Sequence, residues 1–265
     1  MVALALLLFA GALVASFFGL GGGVLYTPFQ VWLGVPLNQA VSTSLFLILA
    51  TSLSATFVFS KKGRVDFLFA LVMEIPTTIG AFLGGVFSHY FPEKITGALL
   101  VLAILIAGIL MLRPPRKITY LCSPSRVKRF AFHWRREWMG QEHFLDLRCI
   151  FPLMFFVGFF LSLVGISGGT IKIPIMVLLL GVPMPIAVGS SAFMVGLTAT
   201  AGFLGHLSVG HVNWKNLLIL LVPVFLGAQI GSRLSAGIKE EKVERLYEWF
   251  LLLVAAITFL KLFLL

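Results

Sequence analysis

The sequence predicts an all-α polytopic membrane protein built from two homologous halves of five apolar segments each, arranged as an inverted repeat. Three observations predict it. Of 265 residues, 59% are hydrophobic and 11% charged, with a mean hydropathy of +1.04; a soluble domain carries about 25% charged residues. Several apolar runs reach 18 or more residues, enough to cross a hydrocarbon core about 30 Å thick. They are continuous and do not alternate with period two, which argues against a β-barrel. Finally, a glycine-rich motif occurs twice, as Gly19-Leu20-Gly21-Gly22-Gly23 followed by Pro28 and as Gly165-Ile166-Ser167-Gly168-Gly169 followed by Pro174. Glycine clusters interrupt helices, and a break at the same place in two related halves is the pattern of discontinuous helices that frame a site.

The first half places its segments at about 2–18, 23–33, 39–58, 65–87 and 95–112. The second places them at about 150–167, 169–181, 187–207, 213–235 and 243–264. The halves keep a register of 147 residues beyond the first loop and 146 at the glycine motif. Gly34-Val35-Pro36 matches Gly181-Val182-Pro183, Ser44 matches Ser191, Pro76 matches Pro223, and Gly80 and Gly84 match Gly227 and Gly231. Such a register is a duplication. The second segment of each half is too short to cross as a helix. It must fold back on the first as a re-entrant hairpin or cross with extended chain at the glycines, where protein or a polar cavity satisfies the backbone.

The domain plan is residues 1–112 for the first repeat, 113–149 for a basic loop and 150–265 for the second repeat. The net charge is +10, and nine of the 20 Lys and Arg residues lie between Arg113 and Arg148. Lys61, Lys62 and Arg64 add a second basic loop. Two crossings separate these loops, so they share a side, and their charge assigns that side to the cytoplasm of a cell inner membrane. An odd number of crossings per half inverts the halves and brings Arg233, Lys239, Lys242 and Arg245 inside; an even number leaves the halves parallel. The charge rule favours inversion. The N-terminus lacks a basic n-region, so no cleaved signal peptide is expected.

In the central loop, Val127, Phe130, Trp134, Trp138 and Leu145 fall near helical spacing among arginines and lysines. The expected element is a basic amphipathic helix on the anionic inner leaflet, the alternative a solvated loop. Cys122 and Cys149, with His133 and His143 between them, lack the tight pairing of a zinc site and read as free thiols and loop histidines. The basic charge belongs to topology, so no nucleic-acid partner is expected. Walker loop, nucleophile–base pair, metal-ligand run and dinucleotide fingerprint are all missing from the sequence, which implies no cofactor and no enzyme.

The candidate binding residues cluster at the breaks. Gly21, Gly22 and Gly23 in one half and Gly168, Gly169 and Thr170 in the other could offer N–H groups to an anion. Ser42, Thr43 and Ser44, matched by Gly189, Ser190 and Ser191, could add hydroxyls; the alternative is that the glycines pack helices and the hydroxyls bond their own backbone. Lys172 is a charge in a short apolar segment, where its counterpart is Tyr26. It is a candidate anion ligand or a lysine that snorkels to the interface. Glu74, whose counterpart is Leu221, could carry a coupling proton, neutralise Lys172 or serve structure alone. Gln229 could reach a substrate or a neighbouring helix. Gly80/Gly84 and Gly227/Gly231 have the spacing of helix-packing faces. His206 and His211 are expected at the membrane interface.

Together, Gly19-Leu20-Gly21-Gly22-Gly23 with Pro28, the run from Gly34-Val35-Pro36 to Ser42-Thr43-Ser44, and their second-half copies resemble the TauE/SafE sulfite exporter family. The resemblance covers nearly the whole chain apart from the central loop. It implies a permease for sulfur-containing anions such as sulfite or organosulfonates. The function expected is a secondary transporter that exports a small anion by alternating access around a midplane site; the alternatives are an anion channel or a carrier of a different small anion or organic acid.

Overall fold

The computed structural model describes residues 2–92, 133–138, 141–163, 168–208 and 214–238, with isolated residues at 95, 98–99, 102, 212, 242, 246, 249 and 253. The described chain is mostly helical. In order come α1 (Val2–Phe17), α2 (Gly23–Trp32), α3 (Leu37–Lys61) and α4 (Phe67–Phe87), which a 3-10 turn extends to Tyr90. An antiparallel hairpin follows, β1 (His133–Trp138) with β2 (Gln141–Asp146). The second half supplies α5 (Leu147–Leu163), α6 (Gly169–Pro174) running into a π turn at Ile175–Leu179, α7 (Met184–Leu207) and α8 (Trp214–Ala236). Among the described residues, four helices are long and apolar enough to span a bilayer, at Leu37–Lys61, Phe67–Tyr90, Met184–Leu207 and Asn216–Ala236. The fifth segment of each half lies almost wholly outside the described residues.

The halves exchange partners. A Cβ on Gly80 or Gly84 of α4 would collide with the carbonyls of Phe155 and Phe159 on α5. One on Gly227 or Gly231 of α8 would collide with those of Phe9 and Leu13 on α1. The contact pairs repeat at the sequence register. These glycines therefore bring backbones together, as their spacing predicted. The equivalent helices α3 and α7 run antiparallel at the centre. Leu45 packs beside Gly202, Phe46 meets Phe203 edge-on at 5.3 Å, and Ser52 Oγ donates to the Ala192 carbonyl at 2.5 Å.

In the first half the helix is interrupted at the glycines, and in the second α6 begins at Gly169, just past its glycine motif. α1 stops at Phe17 and α2 begins at Gly23. Gly11 of α1 touches Leu25 and Phe29 of α2, so α2 doubles back on α1. With ten residues it is about 15 Å long, half a hydrocarbon core. Of the two arrangements open to the short segment, the first half takes the hairpin.

The central loop corrects one expectation. Trp134 and Trp138 lie on a strand, and no amphipathic helix forms across residues 133–146. Strand alternation puts Trp134, Arg136 and Trp138 on one face. Trp138 and Leu145 are buried against Phe69 in the protein core, not laid on lipid. Val127, Phe130, Cys122 and His211 lie outside the described residues, as do the side chains of His133, His143 and Cys149. His206 lies in the last turn of α7. It is buried within the bundle, between Ser88 Oγ and the Ser162 carbonyl, each at 3.2 Å.

Candidate functional site

Each short helix starts from a glycine held in the left-handed region, Gly22 (φ 99°) and Gly168 (φ 84°). These cap α2 and α6, and their carbonyls accept the first helical bonds, from Leu25 and Tyr26 and from Ile171 and Lys172. A side chain here would be strained by φ alone. It would also intrude on the residue one turn later. A Cβ on Gly22 would enter the Tyr26 ring, and one on Gly168 would sit 3.2 Å from Lys172 Cε. The glycines thus clear space for Tyr26 and Lys172, which point back over the break.

Those two equivalent residues make equivalent bonds. Tyr26 is fully buried, with its phenol 2.7 Å from Thr51 Oγ1; Thr51 donates to the Leu47 carbonyl at 3.0 Å. With the threonine proton so placed, the phenol is the donor. In the second half Lys172 Nζ donates to Thr198 Oγ1, and Thr198 reaches the Met194 carbonyl at 3.1 Å. The match is position for position. The second half adds one group, since Lys172 Nζ also donates to both oxygens of Glu74, at 3.0 and 2.8 Å. Thr198 Oγ1 lies in hydrogen-bond contact with Glu74 as well. Lys172 is 0% and Glu74 1% exposed. The lysine does not snorkel to the interface; it is enclosed, and Glu74 neutralises it.

The trio joins α4 to α6 and α7, across the halves. Its depth follows from helix rise. Asp66 N–H donates to Ser190 Oγ at 3.0 Å, which fixes these two residues at one level. Glu74 and Thr198 each lie eight residues further along their helices, about 12 Å deeper.

The two breaks also touch. A Cβ on Gly169 would sit 2.9 Å from the Leu20 carbonyl oxygen, and Ser191 Oγ donates to the Gly19 carbonyl at 3.2 Å. Ser42 and Ser44 are also engaged by the protein. Ser42 donates to the Asn38 carbonyl of its own helix, and Ser44 accepts from Gln30 Nε2 at 2.8 Å. Thr43 is buried. Gly21 and Gly22 both hold positive φ in the first break, and Gly23 opens α2. Gly169 and Thr170 open α6. Gln229 on α8 keeps its Oε1 buried and unpartnered among the described residues. Sequence reasoning missed Thr51, Thr198 and Gln30. The repeat register held the signal for the threonines, because it pairs Tyr26 with Lys172 and Thr51 with Thr198.

At the rim of the same level the hairpin closes on Asp66. Arg136 grips its carboxylate with Nε (3.1 Å) and Nη2, and Trp138 Nε1 donates to Oδ2 at 2.8 Å. The carboxylate also caps α4 by accepting from Phe69 N–H at 3.0 Å. Burial opposes the charge, but the bonds from Arg136, Phe69 and Trp138 outweigh it and hold the Asp66 carboxyl below its ordinary range. The contact brings the 133–138 strand against the start of α4, next to the 59–64 loop. A large apolar groove of about 680 Å³ lies elsewhere, lined by Leu13, Val14, Phe17, Phe18 and, beyond α8, Leu246, Trp249 and Leu253. It offers no polar group to an ion. Among the described residues, no cluster of His, Cys, Asp and Glu could hold a metal ion.

The model of the family described as "Sulfite exporter TauE/SafE" matches residues 3–258. The probable membrane transporter protein YunE of Bacillus subtilis is 27% identical over 252 residues, covering 91% of this chain and 90% of the relative. The probable membrane transporter protein ORF9 of a Sinorhizobium species is 29% identical over 230 residues, covering 85% and 81%. A probable membrane transporter protein of Methanocaldococcus jannaschii is 22% identical over 245 residues, covering 87% and 84%. No solved structure matches the chain.

Proposed function

The chain belongs to the TauE/SafE family of membrane transporters, and from that premise we propose that it exports a small sulfur oxyanion or organosulfonate, with Lys172 as the anion's cationic ligand. One observation carries this reading. Lys172 is a fully buried cation at membrane depth beside two helix breaks that meet. A charge there is costly and usually marks an ion path. A tetrahedral or pyramidal oxyanion suits the ammonium together with hydroxyl and N–H donors from the breaks. Gly21, Gly22, Gly23, Gly168, Gly169 and Thr170 are the candidate backbone donors, with Ser42, Thr43, Ser44, Ser190, Ser191 and Gln229 around them.

The transport cycle on this reading is alternating access, because Lys172 has no exposed surface in the described arrangement. The antiparallel course of α3 and α7 supports an inverted pair of halves. The α1–α2 hairpin supports an odd crossing number. The basic loops then face the cytoplasm of the inner membrane, and an inside-negative potential helps expel an anion by about 2.3 kcal/mol per charge per 100 mV.

The test is counterflow of sulfite and a panel of organosulfonates in proteoliposomes. The wild-type chain should exchange one of them saturably. The double variant Lys172→Tyr/Glu74→Leu copies the neutral first-half pattern and should fold yet exchange none. Undiminished exchange by that folded variant would remove Lys172 from the site.

A further inference from the structure

We propose that Glu74 is an obligatory proton site, so that each anion bound at Lys172 brings one proton onto the Glu74 carboxyl. The inference rests on the reading that Lys172 binds the anion, and adds what that reading leaves open, the coupling ion.

The argument begins with how Lys172 is already used. Its ammonium has three donors, and the structure gives all three to Glu74 and Thr198. Lys172 and Glu74 form an ion pair with no spare donor. An arriving anion therefore has to take bonds from the Glu74 carboxylate. Leaving that carboxylate ionised would place two negative groups on one ammonium in a water-poor interior, an arrangement that two acids resolve by keeping a proton between them. Protonation of Glu74 removes the conflict. One proton from solvent joins one carboxylate oxygen, the anion takes the ammonium's bonds to that carboxylate, and no other covalent bond changes.

The neutral carboxyl has a prepared acceptor. Thr198 Oγ1 lies against Glu74, and its own proton has a carbonyl to go to at Met194. A protonated Glu74 donates to Thr198, which donates to Met194. The first half already displays this relay, as Tyr26 to Thr51 to Leu47. The protonated carboxyl would thus stand where the phenol stands in the other half, as a neutral O–H donor to an equivalent threonine.

The groups facing Glu74 add no competing charge. α6 presents Lys172 and α7 presents Thr198. Thr78, one turn along α4 from Glu74, is uncharged. α5, which packs along α4, carries no titratable residue from Ile150 to Leu163. The next acid on α4's side is Asp66, about 12 Å away along the helix and held by Arg136. Lys172 with ionised Glu74, and Lys172 with protonated Glu74 plus a monoanion, are both neutral, so on this proposal the membrane potential aids export only of a dianion, which carries one net charge across.

Methanesulfonate is a suitable probe because it does not titrate near neutral pH, so any proton taken up belongs to the protein. The experiment measures methanesulfonate affinity and proton uptake by the purified full chain in weak buffer from pH 5.5 to 8.5. Expected is uptake approaching one proton per anion bound, with affinity falling up to tenfold per pH unit. Glu74→Gln should bind with no uptake and a flat pH profile. If that variant does not fold, the wild-type stoichiometry decides alone. Wild-type binding with no proton uptake overturns the proposal and leaves Lys172 as anion ligand. No saturable binding of either methanesulfonate or sulfite to the wild type overturns both.

Discussion

The same scaffold position carries a neutral pair in one half and a charged trio in the other. Tyr26 and Thr51 meet beside the first break, Lys172 and Thr198 beside the second, each over a left-handed glycine and each backed by a main-chain carbonyl. Glu74 reaches only the second. The comparison separates architecture from chemistry. What both halves share, the glycine cap, the returning side chain and the threonine relay, is what shapes a break. What only one half has, a buried cation and its counterion, is what an anion could use. It also shifts the role of the glycines. As N–H donors they would serve a ligand directly, whereas here Gly22 and Gly168 first make room for the residue four positions on.

The largest expected effect comes from breaking the trio on one side. Lys172→Met leaves Glu74 as a buried carboxylate without its cation. Removing one partner of such a pair costs about 3–5 kcal/mol. The loss should appear as a markedly lower thermal midpoint in detergent. Lys172→Tyr/Glu74→Leu should recover most of it, because the first half shows that the scaffold holds a neutral pair. A double variant no more stable than Lys172→Met would mean that the two sites are not interchangeable.

The glycine caps should rank next, and unequally. Gly22→Ala and Gly168→Ala both force alanine into positive φ, a strain of about 1–2 kcal/mol. Only Gly22→Ala also drives a methyl into an aromatic ring, which is stiff and buried; at Gly168 the nearest atom belongs to a flexible lysine stem at 3.2 Å. Gly22→Ala should therefore lower the thermal midpoint more. Equal losses would show that backbone strain alone governs both caps.

How much of this was legible beforehand follows the same division. The interruption after Phe17 and the packing roles of Gly80, Gly84, Gly227 and Gly231 were readable, because they are backbone requirements that only glycine meets at fixed spacing. The ion pair was readable as a possibility, since a buried cation needs a partner and Glu74 was the buried-looking acid. The hairpin was misread. Trp134 and Trp138 are four apart, and four is both one helical turn and two strand repeats. Arg136 breaks the tie, because only a strand puts it on the tryptophan face, and that needed the knowledge that Asp66 waits beneath. Ser42 follows the alternative in which a hydroxyl bonds its own helix, but which group claims Ser44 or Ser191 depends on how other segments cross.

The hairpin latch supplies a prediction with a pH sign. The bonds to Asp66 hold its carboxyl below the ordinary value near 4. Their contribution is complete above that value and is lost as the pH falls through the lower folded value. The 133–146 hairpin should keep its hydrogen-exchange protection from pH 8 to 5 and lose it as the solution is acidified below about 4. Asp66→Asn should weaken protection at neutral pH and flatten the profile. An Asn variant protected like the wild type throughout would mean that Trp138 and Leu145 hold the hairpin by apolar burial alone.

The smallest effect should come from Ser191→Ala, which removes one hydroxyl joining α7 to the first break. A neutral hydrogen bond contributes about 0.5–1.5 kcal/mol net, and at 3.2 Å this one belongs at the lower end. Folding should barely change. Anion affinity is the discriminating measurement. If the hydroxyl leaves the Gly19 carbonyl to help hold the anion, methanesulfonate binding weakens several-fold while the thermal midpoint of the empty protein stays put. If the hydroxyl only ties the break to α7, the alanine variant loses a little stability and binds as before, and the anion's donors are then the break amides and Lys172 without it.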